Sequence, residues 1–159
     1  MSELLQAVYR GDQARAEELL AAKPELDVFE AAAVGKVDRL RELLDEDPSL
    51  ANAWAEDGYQ PLGLASFFGH LEAARLLVER GAEVNSASRN EMKVMPLHSA
   101  AATGDPAARY ELAKLLLEHG ADPNARQQDD YTPLMAAEAH GDERLRALLV
   151  VHGATTSEP

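Results

Sequence analysis

The hydrophobic and polar positions of the chain fall into short helical patterns that come in pairs. Residues 71–79 read LEAARLLVE: Leu71, Ala74, Leu77 and Val78 form one apolar face, Ala73 and Leu76 widen it, and Glu72, Arg75 and Glu79 make a polar stripe at helical spacing. So broad an apolar arc must be buried against more than one neighbour. A second pattern, PLGLASFF, precedes it across Gly69-His70, and the pair closes at Gly81-Ala82. The stretch from Tyr59 to Asn85 is therefore a helix–turn–helix unit with a connecting segment on each side.

Pieces of this unit recur along the whole chain. Gly11, Gly35, Gly69, Gly104 and Gly141 each follow a helix carrying a small residue (Ala7, Ala31, Ala65, Ala100, Ala137) and precede one rich in leucine, ending with Leu148-Leu149. Their spacings are 24, 34, 35 and 37, and the irregularities can be located. Asp27 with Glu30 is a capping box that restarts a helix soon after Pro24 ends one, so units one and two have no room for a long connection. The connection from Asn85 to Pro96 carries two extra residues, and the segment from Gly104 to Gly120 four. Removing these, and the one extra residue between Asp47 and Asn52, returns a period of 33, the mark of a stacked repeat array. The units fall at about 2–25, 26–51, 52–84, 85–123 and 124–155, with a tail at 156–159, in one domain over 1–159.

The motifs at the unit boundaries explain how each helix begins and ends. Asp130-Tyr131-Thr132-Pro133-Leu134-Met135-Ala136-Ala137 places a cap threonine before a proline at the first helical position, where a missing N–H costs nothing. Met95-Pro96-Leu97-His98-Ser99-Ala100-Ala101 is a second version, and Gly81-Ala82-Glu83-Val84-Asn85 and Gly120-Ala121-Asp122-Pro123-Asn124-Ala125 share a further pattern. Gly69, Gly81, Gly104, Gly120, Gly141 and Gly153 fall where helix ends call for a left-handed residue. Together these motifs resemble the ankyrin repeat family, strongly in units three to five and more weakly in units one and two. The resemblance implies an all-α repeat solenoid, about five helix–turn–helix units joined by β-hairpin-like fingers. Gln60 and Met95 stand where the cap threonine is expected, and Gly63 and Met135 replace the signature histidine, so those turns are expected to be less well fastened.

Ankyrin repeats bind other proteins through the fingertips and the exposed inner face of the first helices. Carried onto this chain, that implies Trp54, Glu56, Asp57 and Tyr59 on the first finger. Arg89, Met92 and Lys93 fall on the middle finger, whose two extra residues should make it project farthest, and Arg126, Gln128, Asp129 and Tyr131 on the third. On the first helices the positions are Phe67 and Phe68, Ala102 and Thr103, and Ala139 and His140, with Tyr9, Arg10, Ala33 and Val34 at the N-terminal end. Trp54, Tyr59, Phe67 and Phe68 are four of the eight aromatic residues, so a partner site with aromatic anchors and a charged rim is expected there. The alternative is packing: Trp54 folded back on the next finger, and one of Phe67 and Phe68 turned into the helix pair. An exposed aromatic patch also permits self-association as a weak homodimer.

Charge narrows the choice of partner. The chain holds 15 Lys and Arg against 28 Asp and Glu, a net of −13 with no basic arm in either half. Such a field repels nucleic acid and anionic membrane and favours a basic or apolar protein surface. The absence of cysteine excludes disulfides, thiolate zinc sites and thiol catalysis. Without a leader-like segment or a run of 18 apolar residues, the chain is expected to be soluble and cytoplasmic. The five histidines are scattered among repeat positions, and neither Asp45-Glu46-Asp47 nor Asp129-Asp130 has the alternation of a calcium loop. No catalytic set, cofactor or metal is expected, and an enzyme working in a groove between fingers is the remote alternative. Small bacterial ankyrin proteins are often regulators or accessory proteins of other enzymes, which makes a regulatory adaptor the reading that the resemblance implies.

Overall fold

A computed structural model describes residues 1–22 and 25–156. The expected helix stop near Lys23-Pro24 and most of the tail at 156–159 lie outside them. Among the described residues there are ten α-helices and no strands, arranged as five antiparallel pairs. The first members of the pairs are α1 (Glu3–Arg10), α3 (Val28–Val34), α5 (Pro61–Phe67), α7 (Pro96–Ala102) and α9 (Pro133–Ala139). Their partners are α2 (Gln13–Ala22), α4 (Val37–Glu46), α6 (Leu71–Glu79), α8 (Pro106–Glu118) and α10 (Glu143–Val151). Each first helix packs on the next, α1 to α9 in order, and the row α4, α6, α8, α10 runs behind them.

A helix of seven residues, the length of α3, α5, α7 and α9, has no stability of its own in water. Packing supplies it. Ala31, Ala65, Ala100 and Ala137 are fully buried and let the first helices approach closely, while Leu40, Leu44, Leu77, Leu116 and Leu149 fill the space behind them. Each such leucine contributes about 1.5–3 kcal/mol by leaving water. The broad apolar arc expected in α6 is buried as predicted, with Leu77 and Ala74 fully enclosed.

The capping chemistry follows the sequence in most units. Asp27 and Glu30 form the reciprocal box at α3, and Thr132 Oγ1 accepts from the Met135 N–H at α9. Gln60 and Met95 make no side-chain cap, as their chemistry predicts. Gln60 instead donates from Nε2 to Asn52 O across the base of its finger, 3.0 Å away. Gly69, Gly81, Gly120, Gly141 and Gly153 take positive φ, but Gly104 does not. In unit four α7 ends through Thr103 in an extended conformation, so the turn needs no left-handed residue.

The three fingers are hairpins closed by one backbone bond each, Ala55 N–H to Tyr59 O, Ser88 N–H to Val94 O and Gln127 N–H to Tyr131 O. The middle one spans two residues more than the others, which is where the insertion went. Its extra residues do not reach outward. Ser88, buried, and Asn90 knot the loop through Ser88 Oγ to Asn90 Oδ1 and Val94 N–H to Ser88 Oγ, and Asn90 Nδ2 donates to Asp57 O on the first finger. Arg89 N–H donates to Gly58 O and Gln128 N–H to Met92 O, so the fingers are tied side by side. Gly58 has φ +90°, and a Cβ there would stand 2.6 Å from Arg89 O, so only glycine allows the first two fingers this close.

Candidate functional site

The aromatic residues expected to cluster are divided between two places. Phe68 is half-buried against the core, edge-on to Tyr9 at 5.4 Å and to Phe67 at 4.9 Å between ring centres. Phe67 is 43% exposed. Trp54 lies elsewhere, beside Met1, Leu5 and Phe29, with the Arg89 guanidinium 3.9 Å above its ring. Both packing alternatives are thus realised: Trp54 is covered by the next finger, and one of the two phenylalanines is turned inward.

What replaces the expected four-ring patch is a pocket of about 140 Å³ in the angle between fingers and first helices. Tyr9 at the end of α1, Gly63, Leu64 and Phe67 of α5, and His98, Ser99 and Ala102 of α7 form its helical walls. Tyr59, Met92 and Val94 come over from the fingers, and Tyr59 O–H reaches Met92 Sδ at 3.8 Å. Sequence reasoning named Tyr59, Phe67, Met92 and Ala102 here, and Tyr9 at the neighbouring end. It gave Ser99 only as part of a helix-start motif and Gly63 only as a departure from that motif. The signal was present in the repeat register: Gly63 stands where unit four has His98, and Ser99 where unit three has Leu64. Two small residues in neighbouring helices leave a hole, and a Cβ built on Gly63 meets nothing within 4 Å.

Most polar groups around the pocket are already engaged. Tyr9 O–H donates to Asp57 Oδ2 at 3.1 Å, and burial, then the Asp57 carboxylate, push the phenol well above its ordinary range, so it stays a donor. His98 Nδ1 accepts from the Met95 N–H while Nε2 faces Ala125 O at 3.0 Å and Tyr131 O at 3.1 Å, which fixes the Nε2–H tautomer and pins α7 to the third finger. Burial holds its pKa below the ordinary histidine value. Ser99 is 4% exposed, lines the pocket, and its hydroxyl has no hydrogen-bond partner among the described residues.

The remaining expected positions divide by exposure. Ala102, Ala139, His140, Arg126, Gln128 and Asp129 are exposed, Tyr131 is half-buried, and Lys93, Asp129 and Asp130 take left-handed backbone at the finger tips. Glu56 is exposed but pairs with the Met1 amino group at 2.9 Å. Thr103 is a correction: it is 5% exposed, because the extended end of α7 turns it toward Gly69 of the preceding unit, and it offers no contact surface. Ala33 is likewise enclosed. Among the described residues no group of three or more histidine or carboxylate side chains is placed to hold a metal ion, and no helix is long and apolar enough to cross a membrane.

Family models of ankyrin repeats match residues 4–88, in a three-copy form, and residues 97–150, in a many-copy form. Among curated relatives, the E3 ubiquitin-protein ligase Ufd4 of Drosophila melanogaster is 36% identical over 114 residues, 72% of this chain and 4% of that protein. Ankyrin repeat and SAM domain-containing protein 6 of Rattus norvegicus is 34% identical over 108 residues, 67% of this chain and 11% of its own length. The DNA-binding protein RFXANK of Homo sapiens is 34% identical over 90 residues, 57% of this chain and 34% of its own. The chain therefore spans only a small part of the relatives it matches.

Proposed function

The chain belongs to the ankyrin repeat family, whose members are protein-interaction modules, and on that premise we propose that it is a scaffold or regulatory adaptor whose partner docks on the face of the first helices and the finger tips. The observation that carries this reading is the apolar pocket flanked by exposed Phe67 and Met92, at 43% and 46%, between elements that are themselves rigidly tied. Exposed large side chains around a recess, with the exposed charges Lys93 next to Met92 on the middle finger and Asp129 on the third, are the composition of a hot spot with a polar rim. The net charge of −13 supports a basic or apolar protein surface as partner over direct contact with nucleic acid. What the names of the relatives say of ligase activity or DNA binding concerns proteins of which this chain matches a minor part.

Affinity capture from native cell extract with wild type and a Phe67→Ala, Met92→Ala variant tests the reading. Both forms should melt within a few degrees of each other, and a protein retained by the wild type should be lost by the variant. Equal capture by both would move the site away from this face.

A further inference from the structure

The pocket has a gradient from mouth to floor. Met92, Phe67 and Tyr9 are the exposed large side chains of the set, with exposed Ala102 beside them, whereas Leu64, His98 and Ser99 are almost completely enclosed. The walls are rings, a thioether and aliphatic carbon. The floor holds a hydroxyl that the protein leaves without a partner, while both His98 nitrogens are engaged. That hydroxyl is open to the recess, unlike the fully enclosed Ser66 Oγ, so a group that fills the pocket displaces its water and loses free energy unless it supplies a hydrogen bond in return.

We propose that the pocket receives one tyrosine side chain of the partner polypeptide, its ring held between Tyr59, Phe67 and Met92 and its phenol hydroxyl on Ser99 Oγ. The inference rests on the interaction reading above and names the anchor that reading needs. Size agrees: the volume of about 140 Å³ is close to the ~150 Å³ of a cavity that accepts benzene, so there is room for one six-membered ring. Chemistry separates tyrosine from phenylalanine and leucine. Those side chains fill the walls but leave the Ser99 hydroxyl dry and unpaired, and a site with a buried hydroxyl to satisfy discriminates against an analogue that lacks one. Tyrosine also has its polar atom at the tip, matching a polar floor beneath an apolar throat. The space is made by Gly63, whose missing side chain opens it.

The test titrates N-acetyltyrosinamide and N-acetylphenylalaninamide into the full ¹⁵N-labelled chain, followed at the amides of Leu64, Met92, Ser99 and Ala102. The tyrosine probe should shift these amides saturably and bind about tenfold more tightly than the phenylalanine probe. In Ser99→Ala, a substitution a helix accepts readily, the ratio should fall to about one with the phenylalanine probe no weaker. Gly63→Leu should abolish both, and its folded state is checked by an unchanged spectrum at α9 and α10. The proposal is overturned if the two probes bind equally in the wild type, if the preference survives Ser99→Ala, or if no shift occurs at these amides up to the solubility of the probes. Should that happen while partner capture still depends on Phe67 and Met92, the interaction surface stands and only the tyrosine is wrong.

Discussion

Two side chains show how burial sets the behaviour of single residues. His98 is held below its ordinary pKa of 6.5 by burial, with hydrogen bonds to Ala125 O and Tyr131 O opposing the shift, and His70 is lowered for the same reason against its bond to Ala33 O. A folded-state pKa below the unfolded value means that the unfolded chain takes up protons first on acidification. Both contributions are therefore complete above about pH 6.5 and fade as the pH falls toward the folded-state values. Protonation of His98 also removes the acceptor for the Met95 N–H. Chemical denaturation at pH 7 and pH 5 should show that His98→Gln loses less stability than the wild type between the two; equal losses would refute the assignment. Ser66, fully enclosed in α5 with an unpartnered hydroxyl, makes the opposite case. Ser66→Ala should stabilise the protein by about 1–3 kcal/mol, the cost of an unsatisfied buried group, and a lower urea midpoint would show that the hydroxyl finds a partner.

Between elements the repeat is held by a recurring clamp. Asn52, Asn85 and Asn124 each donate from Nδ2 to the carbonyl of the glycine that closes the next helix pair, Gly81, Gly120 and Gly153, and each Oδ1 accepts the backbone N–H two residues beyond that glycine, from Glu83, Asp122 and Thr155. Asparagine alone carries donor and acceptor at this reach. Asn85→Ala should cost about 1–3 kcal/mol for its two bonds and loosen hydrogen exchange at Asp122; no change there would mean that water replaces the clamp without loss. The insertion in unit four lengthens α8 to 13 residues, and the added turn brings in Arg109. Its guanidinium reaches Thr103 O, Gly104 O and Asp142 Oδ2 at 2.7, 3.2 and 2.9 Å, and Asp142 also caps α10. At 7% and 11% side-chain exposure the pair is enclosed, so Arg109→Ala should cost roughly 3–5 kcal/mol through the carboxylate left behind, and Asp142→Asn less. Equal losses in thermal melts of the two variants would contradict this.

At the scale of the whole molecule, helices pack chiefly on those of adjacent units, with Tyr9 of the first unit also reaching Asp57 and Phe68 of the third, and stability is close to a sum over units and the interfaces between them. Leu77 lies at the centre of that stack with no exposed surface. Leu77→Ala should cost about 2–5 kcal/mol, whereas Phe67→Ala, which gives up chiefly its edge contact with Phe68, should cost about 0.5–1.5 kcal/mol. Comparable losses in a denaturant titration would make Phe67 a core residue and remove it from the interaction surface. The acidic excess is distributed differently from the pocket. Many acids lie on the outer helices beside arginines three residues away, as in Arg39–Glu42, Arg41–Asp38 and Arg75–Glu72. Exposed pairs of this kind contribute little to stability.

By itself the sequence determined the helix pairs, their period, the capping at Asp27 and Thr132 and the place of each insertion, because these depend on the order of small, apolar, glycine and proline residues along the backbone. What each insertion became was decided in three dimensions. Four residues add one helical turn and so keep the leucine face in register, while two extra residues in a finger have no helix to join and closed into the Ser88–Asn90 knot. The candidate site was legible only in part for the same reason. Exposure of Phe67 follows from its place in α5, but the separation of Trp54, the burial of Thr103 and the hole above Gly63 depend on what the neighbouring unit places opposite. A pocket between two repeats is a property of residues some 35 positions apart, Gly63 and Ser99 among them, and only packing brings those positions to one wall.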